Sequence, residues 1–432
     1  MSDETFRLRV ENDIATIAAD DWDGCASPRY SYNDSADPAN PLMGGDEAAC
    51  GGWGPLSGRT ASSRRRTAYN PFVSHAFLSS LEESGSVAAA TGWLPQHLVL
   101  EGPEGEVLGV CPAYLKSHSQ GEYVFDHGWA EAFERAGGRY YPKLQVSVPF
   151  TPATGPRLLA GAGPQAESVR AALAAGLVAL AKLRKVSSVH ATFLTEADAG
   201  ALEAEGFLPR TDQQFHWHNE GYADFEAFLD ALASRKRKQI RRERREALEN
   251  GISVHWLTGS DLTEEVWDAF FGFYMETGSR KWGRPYLTRA FYSLIGERMA
   301  DRVLLVMAKR AGRWIAGAIN FIGDDALYGR HWGAVEHHPF LHFEVCYHQA
   351  IDYAITHGLT TVEAGAQGEH KLARGYMPVI TRSAHYIADP QFRAAVAHYL
   401  ERERRYVAEA GAELSELGPF RQQVADQRAD EP

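Results

Sequence analysis

Residues 328–376 read YGRHWGAVEHHPFLHFEVCYHQAIDYAITHGLTTVEAGAQGEHKLARGY, which is a strand, a polar turn, a helix, a second strand and a glycine loop carrying Lys and Arg. Elements that follow one another this closely must pack as one α/β layer, which is the tightest constraint the chain places on its own fold. The aromatic and apolar run 326–332 predicts a strand. A helix follows from about Phe343 until Gly358 stops it, and 360–364 predicts the next strand. That strand breaks into Gly365, Gly368 and Gly375 around Glu369, His370, Lys371 and Arg374. Glycine lets backbone approach a ligand closely, and Lys and Arg donate to phosphate or carboxylate, so the loop suits an anionic ligand. An ordinary surface loop has the same composition.

The chain has 432 residues, too many for one ordinary core, so two domains are expected. MSDETFRLRV lacks the charged start and apolar run of a signal peptide. The longest apolar stretch, 171–181, is well short of the roughly 20 residues that span a bilayer. A cytoplasmic protein without a transmembrane segment is the expectation. Cys25, Cys50, Cys111 and Cys346 are scattered without CxxC spacing, which argues against a disulfide framework or a zinc knuckle.

Formal net charge is −12, yet 234–246 (SRKRKQIRRERRE) holds eight Arg or Lys against two Glu. This concentrated charge predicts a basic helix able to hold a polyanion such as RNA, a phosphate-bearing donor or an anionic lipid headgroup. A solvated helix whose Glu243 and Glu246 pair with neighbouring Arg is the plainer alternative.

Residues 26–69, dense in Gly, Ser, Pro, Asp and Ala, have no period and predict a disordered or long-loop insert. Helical patterning resumes over 70–81. Strands are predicted at 97–100, 107–115, 121–126, 143–148 and 189–194, with helices at 129–136 and 164–185. The second half repeats the theme: helices at 264–275 and 288–299, strands at 252–257, 303–308, 314–322 and 383–388, and a closing helix from 390 to about 410. GEVLGVCPAYL (105–115) and GRWIAGAINFI (312–322) read as one hairpin arm used twice, which favours duplication of an α/β module.

The element order of the second half resembles the GNAT acyltransferase fold, and two such modules in tandem resemble the Fem-type (FemAB-like) ligases. NPFVSHAFLSSLEESGSV, YPKLQVSVPFTPATGPRLL, GRHWGAVEHHPFLHFEVCYHQAIDYAI and EAGAQGEHKLARGY are similar to the peptidoglycan biosynthesis/recognition family, also described as predicted N-acyltransferases. The likeness runs from Asn70 to about Arg421. It implies an α/β (α+β) fold of two tandem GNAT-like modules, with mixed sheets flanked by helices. Residues 1–25 would start the N-terminal module, 26–69 form the insert, 70–220 complete that module, 221–251 make a basic helical linker, and 252–432 form the module with the active site.

The resemblance also implies transfer of an acyl or aminoacyl group from an activated carrier to an amine, without a tightly bound cofactor. The carrier is acyl-coenzyme A or an aminoacyl-tRNA, and the acceptor a small-molecule or peptide amine. In GNAT relatives the donor lies in a splay between the fourth and fifth strands, against a turn of pattern [QR]xxGx[GA]. Arg330, Trp332 and Gly333 are the nearest match, which ends in Val335. Lys371 with Arg374 and Gly375 resembles the Lys-Gly region of Fem-type relatives, Gln367 beside them is a further donor-binding candidate, and Lys281 with Trp282 could line a groove. Amine attack needs a base, oxyanion stabilisation and a proton for the leaving group. Glu344, Glu363 and His331 are the candidate bases; Tyr347 and His370 are candidate proton donors.

Seven of the 17 histidines fall between His331 and His370, and Glu344 with His348 has a metal-ligand spacing. HPFLH lacks the glutamate of HExxH, however, and no metal is expected. Three readings follow: an N-acyltransferase, a non-catalytic recognition module for a peptidoglycan precursor or amino-sugar peptide, and an RNA-binding protein acting through its basic helix.

Overall fold

A computed structural model describes residues 6–27, 68–281, 285–365 and 368–421. Its fourteen strands are β1 (Arg7–Glu11), β2 (Trp93–Pro95), β3 (His97–Glu101), β4 (Val107–Cys111), β5 (Ala113–Lys116), β6 (Lys143–Val146), β7 (Ser188–Thr192), β8 (Leu208–His218), β9 (Ile252–Leu257), β10 (Val303–Arg310), β11 (Arg313–Ile322), β12 (Ala326–Ala334), β13 (Thr361–Glu363) and β14 (Met377–Ile387). β1, β3 and β4 form a small antiparallel sheet, and the other eleven form one sheet in the order β2-β5-β6-β7-β14-β8-β13-β12-β11-β10-β9.

The two halves use matching parts. An antiparallel arm leads into a parallel pair in each: β6 with β7 in the first half and β12 with β13 in the second. The arm predicted to recur is β4–β5 in one half and β11 in the other. This is the tandem GNAT-like architecture. The closing strands are exchanged: β14 of the second half lies between β7 and β8, and the end of β8 pairs with β13 through His216↔Glu363.

Helix boundaries follow local chemistry. Asp389 caps the amide of Phe392 and Pro390 opens the helix Pro390–Glu416, where a missing N–H costs nothing. In Ala166–Arg184 the residues Leu173, Leu177 and Leu180 recur at helical spacing and are buried against the sheet. Aromatic side chains join the halves: Phe72 lies 5.0 Å from Phe321 and 5.2 Å from Tyr328, and Phe77 lies 5.7 Å from Phe291, ring centre to ring centre. One apolar core therefore spans both halves.

The structure corrects several expectations. Residues 121–126 form turns, with Gly121 and Tyr123 at positive φ, rather than a strand. β8 was not expected, because LPRTDQQFHWH mixes polar and aromatic residues without a clean apolar alternation. The helix after β12 opens at Leu341–Phe343, passes through a π-turn at Glu344–His348 and continues as Gln349–Thr356. Most of the 26–69 segment lies outside the described residues. No helix among the described residues is long and apolar enough to cross a membrane.

Candidate active site

β12 and β13 pair over only three positions, Ala326↔Thr361, Leu327↔Val362 and Tyr328↔Glu363. β13 then ends, while β12 runs on through 329–334, so the sheet opens into a splay at Glu363. On the other side of β12, Ala318 pairs with Trp332 and Asn320 with Gly329, so Arg330 and His331 both oppose Ile319. This bulge interrupts the ladder at the mouth of the splay, where an extra residue leaves a backbone group unpaired.

Glu363 sits where the two halves meet. Burial pushes its carboxyl up to about 8, partly offset by the Arg330 charge, an amide hydrogen bond from Thr154 and the buried Arg157. Its Oε2 has no hydrogen-bond partner, and His216 Nε2 of β8 stands 3.9 Å away. A carboxyl in this state is mostly protonated at neutral pH and becomes a base as pH passes 8.

Lys371 lies in the short helical turn Glu369–Arg374, just beyond the glycine-containing loop. Its Nζ donates to the carbonyl of Ala364 and, at 3.0 Å, to that of Gly365, the two residues after Glu363. Burial lowers its pKa to about 8. No carboxylate pairs with it among the described residues. Glu363 and Lys371 are thus brought to the same end of β13, each easily switched in charge near neutral pH.

His331 is held neutral, burial and the Arg330 charge pushing it down to about 3, and it meets the ring of Tyr274 edge-on at 5.0 Å. Arg330 donates to the carbonyl of Phe150 in the first half. Tyr347 Oη and His370 Nε2 lie 3.1 Å apart, and the His370 ring is 5.5 Å from Phe343.

Three expected site residues prove to be engaged elsewhere. Both oxygens of fully buried Glu344 accept from Arg244 of the helix Ser234–Ala247, and Oε1 also accepts from Gln349 at 2.7 Å, so Glu344 is a structural anion rather than a free base. Arg374 pairs with Glu243 of the same helix at 2.8 Å and lies over Phe343, so its charge is already matched. Gly333 is needed for packing: a Cβ there would stand 2.0 Å from the carbonyl oxygen of Phe273. Trp332 stays available, lining a cavity of about 730 Å³ with Glu276, Thr277, His342 and Phe343 at the end of β12. Gln367 and Trp282 lie outside the described residues, as does the side chain of Lys281. No group of three or more potential metal ligands occurs among the described residues.

Thr154, Arg157, His216, Glu243 and Arg244 were not anticipated as site residues. Thr154 and Arg157 fall in the PFTPATGPR motif, which could have pointed to them. A separate cluster of buried charges lies in the first half, at the start of β6: Lys143 Nζ donates to Glu122 and Ser119, both at 2.7 Å, and to Asp126.

Among solved structures, the chain is similar to FemX (13% identity, 74% of this chain and 93% of that one, TM-score 0.46). It is also similar to a tandem GNAT protein from the clavulanic acid biosynthesis pathway (11%, 89% and 99%, 0.42) and to L-PGS from Bacillus licheniformis (11%, 82% and 99%, 0.45). No curated protein sequence matches it. A FemAB_like family model, described as peptidoglycan biosynthesis/recognition, matches residues 51–422. The match covers most of the chain, which therefore belongs to the FemAB-like family.

Proposed function

We propose that the protein is an N-acyltransferase that moves an aminoacyl group from the ester of a charged tRNA to an amine of a peptidoglycan precursor. One observation supports this above all: Glu363, with an unpartnered buried oxygen, and Lys371, with no carboxylate partner among the described residues, stand at the same end of β13, Lys371 Nζ lying on the carbonyls of the two residues after Glu363. In the proposed reaction the acceptor nitrogen attacks the ester carbonyl carbon and a C–N bond forms. Ionised Glu363 takes the proton from that nitrogen. Charge developing on the carbonyl oxygen is stabilised by the Lys371 ammonium and by backbone N–H at the Arg330–His331 bulge. The C–O bond then breaks, and the leaving oxygen takes a proton from the Tyr347–His370 pair. Neutral His331 is the second candidate base. Trp332 and the cavity beside it would receive the carrier's end. Acyl-coenzyme A is the alternative donor, served by the same residues.

Mass spectrometry of the product formed from charged tRNA and a muropeptide tests this reading. Turnover by the parent, lost in Glu363→Gln and Lys371→Met, is the expected result. Full activity in both variants overturns the assignment of these residues.

A recognition-only role is favoured by a different observation, the occupation of Glu344 and Arg374 by internal ion pairs. Muropeptide binding by the parent with no turnover from either donor class supports that role instead.

A further inference from the structure

The helix Ser234–Ala247 has two unlike faces. Ile240, Glu243 and Ala247 are buried against the second half, and Glu243 and Arg244 lock the helix to Arg374 and Glu344. Arg235, Lys238, Arg242 and Arg245 point the other way. At about 100° per residue they fall within an arc of about 80°, and at a rise of about 1.5 Å per residue they form a stripe about 15 Å long. All four are exposed. Arg242 is shared with Glu246, while Arg235, Lys238 and Arg245 have no carboxylate partner among the described residues. A chain of net charge −12 has thus gathered unneutralised cations on one ridge, fastened from beneath to the loop that carries Lys371.

We propose that this stripe docks the phosphate backbone of an RNA. Regular spacing along a rigid rod matches a linear array of phosphates better than a single small anion, which needs convergent donors. No convergent set exists here, because the side chains stand side by side. Two anchoring ion pairs fix the ridge relative to β13, so an RNA lying on it has a defined path toward the splay. The inference rests on the proposed use of an RNA carrier and adds where that carrier is gripped.

The test is fluorescence anisotropy of labelled, uncharged tRNA with the full-length chain, titrated across a range of salt concentrations. Three proteins are compared: the parent, a stripe variant (Arg235→Gln, Lys238→Gln, Arg242→Gln, Arg245→Gln) and a variant with the same charge loss elsewhere (Lys182→Gln, Arg184→Gln, Arg402→Gln, Arg405→Gln). Each lost phosphate contact lowers the slope of log affinity against log salt by about 0.7–0.9, so the stripe variant should be shallower than the parent by roughly 3. Its affinity at low salt should fall by roughly 10- to 1,000-fold, and the control variant should match the parent. Equal slopes in parent and stripe variant overturn the docking surface while leaving the RNA carrier standing. A parent that binds no RNA overturns both. Stripe-dependent binding to phosphatidylglycerol vesicles without RNA binding reassigns the ridge to a membrane and overturns the inference.

Discussion

Glu243 and Arg374, one on the basic helix and one beside the glycine-containing loop, form a buried ion pair of 2.8 Å across 131 positions of sequence. Arg374 also donates to the carbonyl of His370, and Gln239 holds the other oxygen of Glu243. The pair sets the position of the turn that carries Lys371. Removing one partner leaves the other buried without a counter-charge.

Glu243→Ala should therefore destabilise the protein by about 3–5 kcal/mol. Replacing both residues with apolar side chains of similar volume should cost much less than the sum of the single losses. Urea denaturation of the two single variants and the double variant checks this.

Glu363 and Lys371 should together impose a bell-shaped pH dependence on the reaction. The Glu363 folded-state pKa of about 8 means that activity rises as pH approaches 8 and falls above it as the Lys371 ammonium loses its proton, and the rising limb is missing from Glu363→Gln, whose turnover should fall by about 10²- to 10⁴-fold. The stability effect of Glu363 has the opposite sign to that rising limb. Because its folded-state pKa lies above the ordinary carboxylate value of 4.5, the protonated form stabilises the fold at low pH, and this contribution is lost as pH rises through 8. Glu363→Gln should consequently lose less stability than the parent between pH 4.5 and 8, as read by thermal melts.

Lys371→Met should lower turnover by about 10²- to 10³-fold, the scale for losing one oxyanion donor. Restoration of turnover by Lys371→Arg would contradict a tightly enclosed ammonium, since the wider guanidinium has to fit against the Ala364 and Gly365 carbonyls. Steady-state kinetics of both variants decides it.

Gly333→Ala should destabilise by at least about 1–3 kcal/mol with or without any donor present, because the new methyl meets the Phe273 backbone rather than a flexible side chain. Unchanged stability with weakened donor binding would instead mark Gly333 as part of a phosphate turn. Differential scanning calorimetry with and without donor separates the two.

Exchange of closing strands makes each half depend on the other. Fragments cut between Gly251 and Ile252 should not unfold cooperatively when expressed separately, since the first loses β14 from between β7 and β8. Mixing the two fragments should restore a single transition in circular dichroism.

Much of the local architecture is legible in the amino-acid order. β9 to β12 and the closing helix follow from apolar periods of 2 or 3.6 residues and from Pro, Gly and Asp near their ends, and the basic helix from its run of charged residues. Tandem arrangement was legible too, because a duplicated arm leaves a trace at two places in the chain. Glu363 and Lys371 could be singled out because a short strand breaking into glycines marks a place where backbone stops pairing. Other features belong to the tertiary structure alone. β14 lies between β7 and β8, Glu344 is held by an arginine 100 positions away, and Gly333 answers to a helix packed across it. Periodicity encodes which face of an element is apolar, and that is a local property of the chain. Which charges neutralise one another depends on distances that exist only after the sheets and helices have packed, so a carboxylate's fate as base or structural anion is decided there.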